Sequence, residues 1–297
     1  MVVGSVAFDN VITPYGTKEG ILGGAASYCS FAASYFTQPR MVGVIGNDFG
    51  EEYLDRLRKR GIDLEGVQKD ESGPTFFWKG KYHENFNRRD TLDIQLNVFE
   101  KFRPDLPSNY LDSKFVLLGN IHPALQMHVL DQLSGDPFVL ADTIDLWIET
   151  ERNALLELIK RVSLFVINDS EAEELTEETN VILAGKKLRE LGPKTVIIKK
   201  GEHGAILFHE DGSFALPAYP VTELRDPTGA GDSFAGALIG RLASRNRTDF
   251  AAIKEAILLD IAAIIERHGA EIAFPTRTLH LAGPIQAGPN PEPSPNP

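Results

Sequence analysis

An aspartate just beyond a run of very small residues, at the head of a helix, can move a proton beside a bound anion. The segment Arg225-Asp226-Pro227-Thr228-Gly229-Ala230-Gly231-Asp232-Ser233-Phe234 has this form. Gly229, Ala230 and Gly231 carry no bulky side chain to cover their backbone N–H groups. The helical pattern from Ser233 to Ile239 adds the positive end of a helix dipole. A phosphate in transfer is the anion that suits such a cradle. Asp232, at its lip, is placed to take the proton of an attacking hydroxyl. A plain strand-to-helix turn, with glycines used for packing, would explain a bare Gly-x-Gly. The longer string Asp-x-Thr-Gly-Ala-Gly-Asp-x-Phe favours the chemical reading.

Other residues fit the same chemistry. Asp9 follows an apolar opening run and could accept hydrogens from two hydroxyls of a small acceptor, while Gly23 and Gly24 would let backbone approach that acceptor closely. Asn168 precedes a helical pattern through Ala172 and Leu175, with Glu171 on its first turn. The spacing is similar to that of a capping box, although such a box usually starts with Ser or Thr. Arg88 and Arg89 either meet an anionic group or are solvated surface charges. His83 and His122 belong to no metal-ligand pattern, so no zinc is assigned. No Walker A string ending in Gly-Lys-Ser/Thr is present, nor the protein-kinase motif set, so the 229–232 turn must do any phosphate work.

These residues hang on an alternation of short apolar runs and amphipathic helical stretches. Met1–Ala7, Met41–Ile45, Phe115–Leu118, Phe138–Ala141, Leu164–Ile167 and Thr195–Ile198 read as buried strands. Between them, Glu51–Arg60, Ala124–Leu133, Asn153–Arg161 and Val181–Leu191 read as helices. That rhythm predicts an α/β fold with a mostly parallel sheet covered on both faces, and ligands gathered beyond the strands' carboxyl ends. Asp9, Asn120, Asp142 and Asn168 each fall just after a predicted strand. Two stretches break the rhythm, Asn10–Ile21 and Thr75–Phe99, and both read as strands of a small accessory sheet.

The bulk numbers bound the partners. The chain has 297 residues, 42% of them hydrophobic, enough for a large core. Its net charge of −12 argues against nucleic acid or an anionic membrane surface. The single Cys29 excludes an intramolecular disulfide and a cysteine-cluster metal site. No signal-like segment or membrane-length apolar run is evident, so a cytoplasmic location is expected. Residues 281–297 are rich in proline and poor in apolar residues and are expected to be disordered. No internal repeat is evident.

The string from Asp226 to Phe234 resembles the C-terminal signature of the ribokinase-like (PfkB) carbohydrate kinase family. Three further segments match that family in order: Gly4 to Asp9, Leu22-Gly23-Gly24-Ala25-Ala26, and Asn168-Asp169-Ser170-Glu171. The likeness runs from about Val2 to Phe274. It implies a three-layer Rossmann-type parallel sheet with helices on both faces, in one kinase domain over residues 1–280. It also implies a small β-sheet lid, built from about 10–21 and 75–99, that closes over the substrate. By resemblance Asp232 is the general base and Gly229, Ala230 and Gly231 form the anion hole. Asn168 and Glu171 order Mg²⁺ and its waters, and Asp9, Gly23 and Gly24 hold the acceptor. The nucleotide, ATP, lies near Lys199, Gly201, Gly204 and Thr228, although a hairpin turn accounts equally well for the Gly-x-x-Gly. Asp226 and Thr228 resemble positions near a monovalent-cation site in some members.

Two positions depart from the family's pattern. Tyr28 stands about where an Asn often follows the glycines, and Asp142-Thr143-Ile144-Asp145-Leu146-Trp147 stands where many members carry Asp-Pro-Asn and an Arg. Both bear on which acceptor is taken. The implied activity is ATP-dependent phosphorylation of an alcohol group of a small carbohydrate. A nucleoside or inositol kinase of the same family is the alternative, with Phe76, Phe77, Trp78 and Tyr82 available to stack on a base. A catalytically silent sugar or nucleotide sensor is the alternative of a different class. The resemblance also admits a homodimer through the lid.

Overall fold

The computed structural model describes residues 1–84, 86, 89–218 and 226–257. The chain divides into two units, Met1–Ile261 and Ala262–Pro297. The second unit lies wholly outside the described residues, and with it the expected Pro-rich tail.

In chain order the strands are β1 (Val2–Val3), β2 (Ala7–Thr13), β3 (Gly16–Gly23), β4 (Arg40–Ile45), β5 (Asp63–Lys69), β6 (Phe76–Tyr82) and β7 (Arg89–Gln95). They continue with β8 (Phe115–Leu118), β9 (Phe138–Asp142), β10 (Leu164–Asn168), β11 (Thr195–Lys199), β12 (Ala205–His209) and β13 (Gly212–Leu216). The α-helices are α1 (Ala25–Ala33), α2 (Glu51–Arg58), α3 (Pro123–Gln132), α4 (Asp145–Thr150), α5 (Arg152–Ile159), α6 (Asp169–Thr176), α7 (Val181–Glu190) and α8 (Ala230–Arg245).

Nine strands form the large sheet in the order β13-β12-β11-β10-β9-β8-β1-β4-β5. Pairing is parallel from β11 through to β5, and β12 and β13 add an antiparallel edge. Alternate side chains of one strand enter different cores. Val116, Leu118, Phe165, Ile167, Val196 and Ile198 pack with α5, α6 and α7 residues such as Leu155, Leu158, Leu175 and Leu188. Leu117, Leu164, Val166 and Ile197 face the opposite side, against Leu238, Ile239 and Leu242 of α8. Strands apolar on both faces require helices on both faces, and this is the three-layer α/β arrangement expected. Among the described residues no helix is long and apolar enough to cross a membrane.

The two segments that broke the sequence rhythm form a second sheet of four strands, β3-β2-β6-β7. Its central pair, β2 and β6, is parallel, and both outer pairs are antiparallel. One strand expectation needs correction. The run Met1–Ala7 is not a single strand: β1 ends at Val3 and β2 starts at Ala7 in the other sheet. Asp9 therefore sits inside a small-sheet strand rather than beyond a strand of the large one. The reason is at Gly4 and Ser5, where the chain turns to meet α1. There the Ser5 hydroxyl accepts from the Ala25 N–H (3.1 Å) and the Ser5 carbonyl accepts from the Ala26 N–H (2.9 Å).

Candidate active site

The head of α8 is built by backbone. Gly229 is its N-cap with φ 73°, a left-handed conformation that glycine adopts without a β-carbon penalty. The Thr228 N–H is held by Asp226 Oδ1 at 2.9 Å, and the Ala230 N–H reaches the Pro227 carbonyl at 3.0 Å. Ala230 is thus engaged in the turn rather than open to an anion in this geometry. No side chain caps α8, so its first turn, which carries Gly231 and Asp232, keeps the N-terminal dipole available.

The carboxyl ends of β9, β10 and β11 lie beneath this turn. Asp142 ends β9, Asn168 ends β10 and Lys199 ends β11. Lys199 Nζ donates to both oxygens of Asp142, at 3.2 and 3.1 Å. A β-carbon placed on Gly231 would lie only 2.9 Å from that same nitrogen. The ammonium is therefore wedged between a carboxylate and the first turn of α8. Burial opposes its charge, but Asp142 and Glu171 outweigh that and hold its pKa above the usual lysine range.

Asn168 and Glu171 realise the capping-box reading. The Glu171 N–H donates to Asn168 Oδ1 (2.8 Å) and the Asn168 N–H donates to Glu171 Oε2 (2.9 Å). Glu171 is only 7% exposed, and burial pushes its carboxyl up to about 7 despite the attraction of Lys199. Its Oε1 is not used by the box. One buried carboxylate oxygen beside a phosphate cradle fits Mg²⁺, which takes few protein oxygens and many from water and phosphate. Among the described residues no group of three or more His, Cys, Asp or Glu could hold a metal by itself.

A second group of residues faces the turn from the small sheet and α1. Asp9 on β2 is 4% exposed and packs on the backbone of Gly23, leaving no room for a β-carbon there. Burial raises its carboxyl to about 7, and Asp232 and Asp226 add to the rise. Tyr28 and Arg89 act the other way on it. The Tyr28 hydroxyl donates a long hydrogen bond of 3.5 Å to Asp9 Oδ2. Asp232 is itself raised to about 6, first by burial and then by Asp142, with Lys199 and Arg89 opposing. The Thr228 hydroxyl donates to Tyr82 Oη at 3.2 Å, which joins the turn to β6.

The structure thus groups Asp9, Gly23, Lys199, Gly229, Gly231 and Asp232 around one cleft, with Glu171 within electrostatic reach of Lys199. Gly24, with φ 88°, caps α1 behind them. Gly201 and Gly204 close the β11–β12 hairpin, where the Lys200 N–H donates to the Gly204 carbonyl (2.7 Å), so the hairpin alone accounts for them. Arg88 lies outside the described residues. Its neighbour Arg89 pairs with Tyr82 in the β6–β7 register and lies 5.8 Å from the Trp78 ring centroid. Asn120 accepts from the Trp147 indole (2.7 Å). His122 caps α3 and His83 pairs with Asp90, so both histidines are structural. Asp142 received no role from the sequence, although its place just after a predicted strand was a usable signal. Tyr28 had been noticed only as a departure.

A nine-stranded mostly parallel sheet covered by helices, with a small separate sheet, is the ribokinase fold. The nucleoside kinase of Burkholderia thailandensis, solved in complex with inosine, superposes with a TM-score of 0.73 at 22% identity, covering 88% of this chain and 89% of that one. An E. coli protein provisionally described as ribokinase II, in complex with ATP and Mg²⁺, superposes with a TM-score of 0.73 at 20% identity over 90% and 98% of the two chains. In sequence, residues 124–274 match the pfkB family carbohydrate kinases. A cytidine kinase of Thermococcus kodakarensis is 33% identical over 249 residues, 80% of this chain and 86% of its own. The chain belongs to the pfkB carbohydrate kinase family.

Proposed function

We propose that this chain transfers the γ-phosphoryl group of ATP to a hydroxyl of a small carbohydrate, a free sugar or the sugar of a nucleoside. One observation carries the reading. Asp232 stands in the uncapped first turn of α8, with a buried ammonium, Lys199, against Gly231 on one side and an acceptor carboxylate, Asp9, on the other.

Asp9 binds the acceptor through hydroxyl hydrogens and turns one hydroxyl toward Asp232. Asp232 accepts that proton as the acceptor oxygen bonds to the γ-phosphorus and the bond to the ADP oxygen breaks; ADP leaves. The first turn of α8 and Lys199 hold the charge on the transferring group. Glu171 would hold Mg²⁺ through its free oxygen or a bound water, with Asn168 orienting it, and the ion would neutralise nucleotide phosphates. Gly201, Gly204 and Thr228 line the approach to the nucleotide, and Asp226 with Thr228 offers a place for a monovalent cation. The small sheet acts as a lid that excludes water. The location is proposed to be cytoplasmic.

The test is ADP release from Mg-ATP across a panel of sugars, inositols and nucleosides, with Asp232→Asn as control. Turnover that depends on Asp232 supports the reading, and an undiminished rate in the variant sinks it. The nucleoside branch draws support from the similarity to the cytidine kinase, and the panel compares it directly with free sugars.

A further inference from the structure

Tyr28 touches both halves of the cleft. It lies in the first turns of α1, its hydroxyl on Asp9 Oδ2 (3.5 Å). Its ring lies over Gly229, where an added β-carbon would meet Cγ, Cδ1 and Cδ2 at 2.5–2.6 Å. One side chain therefore spans the gap from the acceptor carboxylate to the anion turn. Its phenol stays protonated and a donor, because burial and the carboxylates Asp9, Asp226 and Asp232 all oppose ionisation.

We infer that Tyr28 is the specificity-determining residue of the acceptor site: its hydroxyl occupies one oxygen of Asp9, and its ring walls the space beside Gly229 with apolar surface. This deepens the kinase reading and rests on it. With the Tyr28 hydroxyl beside Oδ2, Asp9 has its other oxygen as the more open acceptor for a substrate hydroxyl. A hydroxyl directed at the ring would lose its water and gain no partner. The favoured acceptor therefore offers Asp9 a hydroxyl and turns a C–H edge to Tyr28. A sugar whose further position carries a non-hydroxyl substituent, as in a nucleoside, meets both conditions better than a fully hydroxylated free sugar. An apolar wall rejects one extra hydroxyl by about tenfold to a hundredfold.

The groups around Asp9 are Tyr28 from α1, Asp226 and Asp232 from the α8 turn, and Arg89 from β7. Of these Tyr28 is the only uncharged donor, and its loss moves the Asp9 titration up from about 7. The experiment measures acceptor binding by calorimetry without ATP, using cytidine, adenosine, ribose and fructose, on the full chain and on Tyr28→Phe and Tyr28→Asn. Binding is followed across the Asp9 titration, and turnover is assayed in parallel. In Tyr28→Phe the pH midpoint of acceptor binding is expected to rise. In Tyr28→Asn the nucleoside-to-free-sugar affinity ratio is expected to fall by about tenfold. An unchanged midpoint and an unchanged ratio, with thermal melts like the parent's, overturn the assignment while leaving Asp232-dependent turnover intact. Tyr28-dependent binding with no turnover by the parent supports the assignment and overturns the kinase reading instead. Should Tyr28→Asn fail to fold, the midpoint in Tyr28→Phe decides.

Discussion

The two sides of the cleft balance charge differently. On the side proposed to take phosphate, Lys199 at the end of β11 is clasped by Asp142 at the end of β9, with Glu171 of α6 within its field. On the acceptor side, Asp9, Asp226 and Asp232 gather, with Arg89 opposing the charge of Asp9 and Asp232 and Lys199 reaching Asp232 from the other side. The first side fixes its cation in place through ion pairing. The second raises two carboxyls by burial, Asp9 to about 7 and Asp232 to about 6. The proposed transfer draws on both, the first from the large sheet and the second from β2 of the small sheet together with the α8 turn.

The comparison breaks most directly at the residue both sides share. Asp232→Asn is expected to lower kcat by about 10³-fold or more. In the parent, kcat should fall about tenfold per pH unit below the Asp232 titration near 6, because the base must be ionised to accept a proton. Lys199→Met removes the cation and is expected to lower kcat by about 10²–10³-fold and to lower the melting temperature, since Asp142 is left buried and unpaired. Adding Asp142→Asn should restore the melting temperature but not the rate, which separates the ion's structural role from its chemical one. Asp9→Asn, on the other side, is expected to raise acceptor KM by about tenfold and to change kcat less.

The smallest effect concerns stability. Between about pH 4 and pH 7 the folded chain holds a proton on Asp9 that the unfolded chain has released, so this group's contribution to stability falls as pH rises through that window. Asp9→Asn is therefore expected to raise the melting temperature by a few degrees above pH 7 and by little near pH 4. A differential scanning calorimetry series over pH reads this directly.

The phosphate side was the more legible half in the sequence. Strands apolar on both faces declared the parallel sheet, and the turn at 229–232 is contiguous, so its chemistry can be read off adjacent residues. Asn168 and Glu171 were legible as a pair, but their spacing serves a cap and a cation equally, and only geometry showed that the cap is made. Lys199 was placed near the nucleotide, while its partner Asp142, 57 residues away, needed the β9–β10–β11 register to be found. The acceptor side depends on contacts between β2, β6, α1 and the α8 turn, which no local pattern announces. Asp9 is legible as a residue, but the switch of sheet before it is not, because the apolar run resumes at Val6 and Ala7 and hides the break at Gly4 and Ser5.

Helices α1 and α8 run against each other with almost no side chain between them. A β-carbon on Gly236 would collide with the Cys29 carbonyl, and one on Gly240 would come within 2.8 Å of the Ala33 Cα. Both helices begin at the cleft, α1 after the Gly23-Gly24 pair and α8 after Gly229. On the proposed reading, the separation of acceptor from phosphoryl group would be gauged by the thickness of bare backbone a turn or two deeper in the molecule. A methyl group inserted there would act as a shim. Because a misplacement of about 1 Å between reacting groups slows transfer about a hundredfold, the proposed reaction would be governed in part by Gly236 and Gly240, well away from Asp9 and Asp232.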